Sequence, residues 1–310
     1  MATYSLDKQG FDTGTTQPKG WNDSLRMGYK CAGRGDYAKA SKYYKEALAE
    51  NVNDPFIHNN LADVYMNLGQ FDLAMEHAKE AIDKADEEVV PYVTLGQIHQ
   101  TRGEHIEAVD CILRAQNILE EAVPELKDGL DSVEEVIRKL PPRLKFDVVN
   151  KDWIRIIYLV KSMKTNYQKE RDYVRRGVSW EFLLDFRKEA LLSVGSRYLW
   201  AKEKFGIKGN DAAAIANTYG AMSAIIGSPK VRIVENSMKR AVIQIPACWQ
   251  HTVIKAMELD RDPGWVKCSY MCTEYINTVA KAINPNANFE FGSTLPDGHK
   301  YCEGEFKIQG

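Results

Sequence analysis

Small and apolar residues recur at a spacing of 34 positions from Trp21 to about Ile118, and each interval reads as a pair of helices. Gly35-Asp36-Tyr37, Gly69-Gln70-Phe71 and Gly103-Glu104-His105 fall at matching places. Three residues past each Tyr, Phe or His stands an alanine (Ala40, Ala74, Ala108), and seven further on another (Ala47, Ala81, Ala115). Leu61-Ala62 and Leu95-Gly96 hold an early slot, with Met27-Gly28 as the variant in the first unit. Small side chains at these slots let the two helices of a unit approach closely, and the aromatic after the glycine fills the space between units. Three units follow, over 21–54, 55–88 and 89–122.

Beyond them, Val123 to Lys139 reads as a charged amphipathic helix with apolar Val123, Leu126, Leu130, Val133 and Ile137, in the character of a cap. Leu140-Pro141-Pro142 ends it and marks a linker, because two prolines cannot continue a helix. Helical spacing returns over Trp153–Tyr173 and Trp180–Phe205, the latter with Phe182, Phe186, Leu191, Tyr198 and Leu199, and over an alanine-rich Ala212–Ile226. Gly206, Gly209 and Gly227 punctuate these segments. Val231–Ile245 alternates (Val231, Ile233, then Met238, Val242 and Ile245) and predicts two strands joined by a short turn at Asn236-Ser237. Pro263-Gly264 precedes a helix over Trp265–Ile283. Ala287–Ile308 reads as a hairpin around Pro296-Asp297-Gly298-His299, with Cys302, Gly304, Phe306 and Ile308 on one face of the last strand. Residues 141–310 thus predict an α+β domain with a small antiparallel sheet.

The 34-residue pattern resembles the tetratricopeptide repeat (TPR), an α-helical solenoid. That resemblance implies a groove on the inner face of the first helix of each unit. Its lining would be Asn22, Leu25 and Tyr29, then Phe56, Asn59, Asp63 and Met66, then Val90, Val93, Gln97 and Gln100. Chaperone-adaptor arrays that clamp a C-terminal carboxylate place Lys, Arg and Asn in particular slots. Here the basic slots hold Leu25, Val90 and Thr94, and Asn60 alone keeps the residue type, so a carboxylate clamp is not expected. The mixed apolar and amide lining suits a helix or extended segment of a protein partner, or the rest of the same chain, since a three-repeat array needs capping.

Composition narrows the function classes. With 44% apolar and 27% charged residues, the 310-residue chain can bury two cores. No apolar run is long enough to span a membrane. The segment 1–20 is polar and Thr/Gly-rich, expected as a flexible arm rather than a signal peptide. Six cysteines in such a chain point to free thiols and a cytoplasmic setting. The formal charge of −2 conceals a split: residues 1–140 carry 15 Lys/Arg against 25 Asp/Glu, a net of −10, and residues 141–310 carry 26 against 18, a net of +8. Two mutually attracting domains explain this. The densest basic stretch, Lys161–Arg176, includes Glu170 and Asp172 and reads as a solvated helix face, so no nucleic-acid partner is expected.

Four cysteines fall in the last 63 residues: Cys248, Cys268, Cys272 and Cys302. Cys268 and Cys272 are stacked on one helix face, Cys248 follows a strand, and Cys302 opens the closing strand. Cys31 and Cys111 stand in repeat helices as packed thiols. Ala247-Cys248-Trp249, Cys272-Thr273-Glu274-Tyr275, Ile283-Asn284-Pro285-Asn286, Phe289-Glu290-Phe291 and Leu295–Cys302 occur in this order. The run, over roughly 180–310, resembles the tail of the L-2-amino-thiazoline-4-carboxylic acid hydrolase-like family. The resemblance implies opening of a thiazoline ring at its C=N carbon, on a bacterial route to cysteine. The domain is also distantly similar to the 4-vinyl reductase type of small-molecule-binding domain. Phe291 and Thr294 stand where metal-binding members of that group carry a Glu and a Cys, so their zinc site is not intact here. A rearranged site of Cys248, Cys272 and Cys302, joined by Cys268 or His299, would suit zinc.

A hydrolase of this kind needs a nucleophile and a proton source. Cys272, in the first turns of its helix, is the candidate nucleophile, with Glu274 or His299 to manage the proton and His251 and Cys302 lining the pocket. Each of these residues also has an ordinary structural role open to it. No phosphate-binding loop, dinucleotide fingerprint, Gly-x-Ser-x-Gly elbow or His-Glu-x-x-His is present. Two readings follow: an interaction protein whose second domain binds a small molecule or metal as accessory to a larger enzyme or pathway, or a cysteine-dependent hydrolase of a C–N bond in a small heterocycle.

Overall fold

A computed structural model of the chain describes residues 23–51, 53–127, 139, 152–183, 187, 194–225 and 231–309. The chain divides into two compact units between Tyr158 and Leu159. The boundary expected at Leu140-Pro141-Pro142, the arm 1–20, most of the cap helix, and Asn22, Phe186, Leu191 and Gly227 lie outside the described residues.

In the first unit, six helices form three consecutive antiparallel pairs: α1 (Asp23–Gly33) with α2 (Tyr37–Glu50), α3 (Pro55–Asn67) with α4 (Phe71–Lys84), and α5 (Val89–Arg102) with α6 (His105–Ala122). The sequence period becomes geometry at its small residues. Ala40, Ala47, Ala74, Ala81, Ala108 and Ala115 are all fully buried. Gly35, Gly69 and Gly103 turn the chain between the helices of each pair with φ of 76°, 76° and 78°, a left-handed conformation that glycine adopts at little cost. Asp54 caps α3, its Oδ1 accepting from Phe56 N at 2.9 Å, while Pro55 needs no donor there. A short 3-10 turn, Pro124–Lys127, follows α6.

The second unit is α+β. Helix α7 (Asp152–Arg175) contains the division between the units. Then come α8 (Val194–Lys204), α9 (Ala212–Ile225), β1 (Arg232–Asn236), β2 (Arg240–Ile245), α10 (Trp249–Ala256), α11 (Cys268–Ile283), β3 (Ala287–Ser293) and β4 (Cys302–Ile308). The strands form one antiparallel sheet in the order β1-β2-β4-β3. Ala241, Ile243 and Ile245 of β2 and Phe306 of β4 face Tyr219 and Ile215 of α9 and Ile276 and Val279 of α11 in one core. Asn277 of α11 binds the β3 backbone both ways, donating to Phe289 O at 2.9 Å and accepting from Phe289 N at 2.8 Å.

Three expectations need correction. The helix predicted from Trp265 begins at Cys268, because Pro263-Gly264 forms a turn closed by Trp265 N donating to Asp262 O, and Lys267 is extended. Met238 is no inward strand residue: it sits in the turn between β1 and β2 and is 72% exposed, and the inward set of β2 has the opposite parity. Phe182, read as part of an apolar face, is 64% exposed.

Candidate functional site

The repeat unit offers the first candidate surface. Of its expected lining, Leu25 and Val93 are buried, at 4% and 2% exposure, and serve packing. Tyr29, Phe56, Asp63, Met66 and Gln97 are half-buried. Asn59 is 7% exposed, and its Oδ1 is buried with no hydrogen-bond partner among the described residues; the same holds for Nδ2 of Asn60. On α3 and α5 the single Lys or Arg is Arg102, and it is engaged by Glu104 at 2.8 Å and Asp72 at 2.7 Å. No free cation therefore stands on these helices to receive a carboxylate.

The second unit brings its four thiols into one neighbourhood, with Cys268 buried and Cys248, Cys272 and Cys302 half-buried. Cys248 is the N-cap residue of α10, Cys268 and Cys272 are the first and fifth residues of α11, and Cys302 starts β4. Cys272 Sγ donates to Gln250 Oε1 at 3.8 Å, and Cys302 Sγ accepts from Leu295 N at 3.2 Å. Burial raises all four. It pushes Cys272 well above the ordinary thiol value, and the Cys248, Cys268 and Cys302 thiols add to the effect. Burial raises Cys268 and Cys248 too, the latter opposed by the N–H groups of His251 and Gln250. Cys302 is pushed up to about 11, burial outweighing the Leu295 N–H. Thiols this buried are protonated at neutral pH and are poor nucleophiles.

Glu274 and His299 are exposed, whereas the Cys272 sulfur faces the interior. His251 is 8% exposed. Among the described residues, no three His, Cys, Asp or Glu side chains are grouped so as to hold a metal ion, so Cys248, Cys272 and Cys302 share a neighbourhood without presenting a zinc site. Tyr198 and Tyr275 share a hydrogen bond of 2.9 Å, and Tyr167 meets Gln250.

An open groove of about 750 Å³ lies beside α11 and β3. Trp265, Tyr270 and Phe291 supply aromatic wall, with Thr273, Thr294, Lys267 and Glu290 as polar points. Lys267 is ion-paired with Asp297, whose Oδ2 also accepts from Thr294 at 2.5 Å. No local sequence signal marks this groove, because Trp265 and Tyr270 read as helix residues. None marks Gln250 either; its proximity to Cys272 arises from tertiary packing.

The tetratricopeptide repeat family model matches residues 32–95. Among solved structures, the chain is similar to the TPR2B domain of yeast Sti1 in complex with an Hsp70 peptide (20% identity, 37% of this chain and 89% of that one, TM-score 0.32). It is similar also to the Sgt2 TPR domain of Aspergillus fumigatus (23% identity, 37% and 76%, TM-score 0.31). A third is the type III secretion translocator chaperone SycD of Yersinia enterocolitica (20% identity, 38% and 86%, TM-score 0.32). The N-terminal part of this chain carries tetratricopeptide repeats, followed by a small antiparallel four-stranded sheet near the C-terminus.

Proposed function

We propose that this chain is an interaction protein whose repeat groove takes an extended or helical segment of a protein partner and whose C-terminal domain holds a small molecule. One observation carries the first part: Asn59 Oδ1 and Asn60 Nδ2 are buried without partners among the described residues. An unsatisfied buried polar group costs about 1–3 kcal/mol, and an acceptor and a donor in adjacent positions match the N–H and C=O of a polypeptide backbone. A segment whose binding uncovers these two atoms would satisfy both. Phe56 and Met66 would then supply the apolar contact.

The groove at Trp265, Tyr270 and Phe291 is the candidate position for a small ligand in the second domain, with these three aromatic side chains as its apolar wall. The cysteine-dependent hydrolase reading has less support, since the thiols are buried and protonated and Glu274 and His299 are turned to solvent. A peptide-display selection on the full chain tests the groove, with the Phe56→Ala/Asn59→Ala variant as counter-target. Enrichment of sequences that bind the wild type and not the variant is the expected result. Sequences that bind both equally would move the interaction elsewhere.

A further inference from the structure

The second repeat carries two histidines on its paired helices, His58 of α3 and His77 of α4, with their Nδ1 atoms 3.0 Å apart. His58 is 7% exposed and His77 is half-buried, its ring stacked on Tyr65 at 5.5 Å between centres. Two imidazole nitrogens come this close by sharing a proton or by sharing a metal ion, and the ring centres distinguish the two. A ring centre lies about 1.15 Å behind its nitrogen, so a straight Nδ1–H···Nδ1 bond of this length sets the centres about 5.3 Å apart. Two nitrogens each about 2.1 Å from one ion would bring the centres to about 4.6 Å. The observed separation is 5.2 Å, which matches the hydrogen-bonded arrangement, one ring donating and the other accepting.

Such a bond counts protons. With none added, one ring donates and the other accepts. With one added, an imidazolium donates to a neutral imidazole and the bond persists. With two, both nitrogens carry hydrogen, the bond is lost and two like charges face each other. The charged groups acting on His77 are His58 of α3, Lys45 of α2, and Glu76 and Glu80 of α4, with Tyr65 of α3 stacked on its ring and Glu80 held by Lys84 at 3.1 Å. The two carboxylates favour a proton on His77, whereas burial, then His58, then Lys45 oppose it and hold this imidazole below its ordinary value.

We propose that His58 and His77 form a proton-operated latch on the second repeat: the pair ties α3 to α4 while it carries one added proton or none, and it releases them when acid supplies the second. His58 lies between Ile57 and the groove residue Asn59, so release of α3 disturbs the groove. This consequence for binding rests on the groove reading above; the latch itself does not. Folded, His77 is held below its ordinary value of about 6.5, chiefly by burial, and it recovers that value when unfolded, so the unfolded chain binds protons more readily there. The stability that His77 contributes is therefore present above about pH 6.5 and lost as pH falls below it, with up to a tenfold change in the opening equilibrium per pH unit.

Histidine ¹⁵N spectra of the full chain from pH 7.5 to 5.0 read the latch directly. The expected result is one Nδ1-protonated ring donating to an unprotonated Nδ1, and a single proton taken up before the repeat opens. Two rings titrating independently like free imidazole would overturn the proposal. Hydrogen exchange of the α3 and α4 amides, corrected for intrinsic rates, should rise by up to about tenfold per pH unit in acid for the wild type. In His77→Phe, which keeps an aromatic ring on Tyr65, that rise should be absent; equal pH dependence in both proteins would refute the latch. If the variant fails to fold, the wild-type spectra decide alone. Groove peptides selected at pH 7.5 should leave the wild type at pH 5.0 and stay on His77→Phe. Retention by both would break the link to the groove, and a failure to select any peptide would sink the groove reading while the spectra still decide the latch.

Discussion

Cys272 has two influences acting on its sulfur, and their sizes decide its chemistry. Its place near the start of α11 favours an anion by about 0.3–1 kcal/mol. Burial among three other thiols opposes this and wins, raising the group well above its ordinary value. Alkylation with iodoacetamide at pH 7.5 should therefore leave Cys268 and Cys272 unmodified in the native chain and modify both in urea. At Cys302, pushed up to about 11, the native labelling rate should still be climbing at pH 10, because the thiolate fraction grows tenfold per pH unit below that value. A fast native reaction at Cys272 near pH 7 would instead revive the nucleophile. Gly304 is decided by space. A methyl group there would strike the Phe289 ring and sit 2.8 Å from Glu290 O, so Gly304→Ala should cost about 1–3 kcal/mol in urea unfolding. Neither result was readable from residue type: the four cysteines were visible in the sequence, but their burial depends on how α10, α11 and β4 pack.

Among the elements, the repeat helices were legible because a period of 34 residues states both the helix pairs and their close-approach positions, and all six marker alanines are buried. The strand pair β3–β4 was legible from alternation around Gly298, whose φ is 84°. What the pattern did not carry was set by single turns: Gly264 delays the start of α11, and the β1–β2 turn projects Met238 into solvent. One long-range tie had no local signal. Arg171 of α7 grips the loop after α10, its Nε and Nη2 donating to the two oxygens of Asp262 at 2.7 and 2.6 Å and its Nη1 to Met257 O at 2.9 Å. That loop holds Glu258 at a φ of 53°, a strained left-handed conformation for a residue with a side chain. Arg171→Ala should destabilise the second unit by about 3 kcal/mol, since it leaves Asp262 partly buried and unpaired. Arg171→Lys should recover only part of this, because an ammonium cannot reproduce the fork. A loss under 1 kcal/mol, by thermal or urea unfolding, would show that the loop holds itself.

At the scale of the whole molecule, a repeat unit and an α+β unit are joined in one chain, and the functional reading places recognition of a polypeptide in the first and a small ligand in the second. No helix among the described residues is long and apolar enough to cross a membrane. The most direct test of the central claim substitutes Asn59→Leu and measures two quantities on the same sample: the affinity for a selected groove peptide and the unfolding free energy of the repeat unit. An amide held for a partner carries a desolvation cost while unbound, so its removal should leave stability unchanged or raise it by about 1 kcal/mol. Peptide affinity should fall at least tenfold, a loss of about 1.4 kcal/mol. Unchanged affinity, or stability and affinity falling together, would contradict the account and make Asn59 a packing residue.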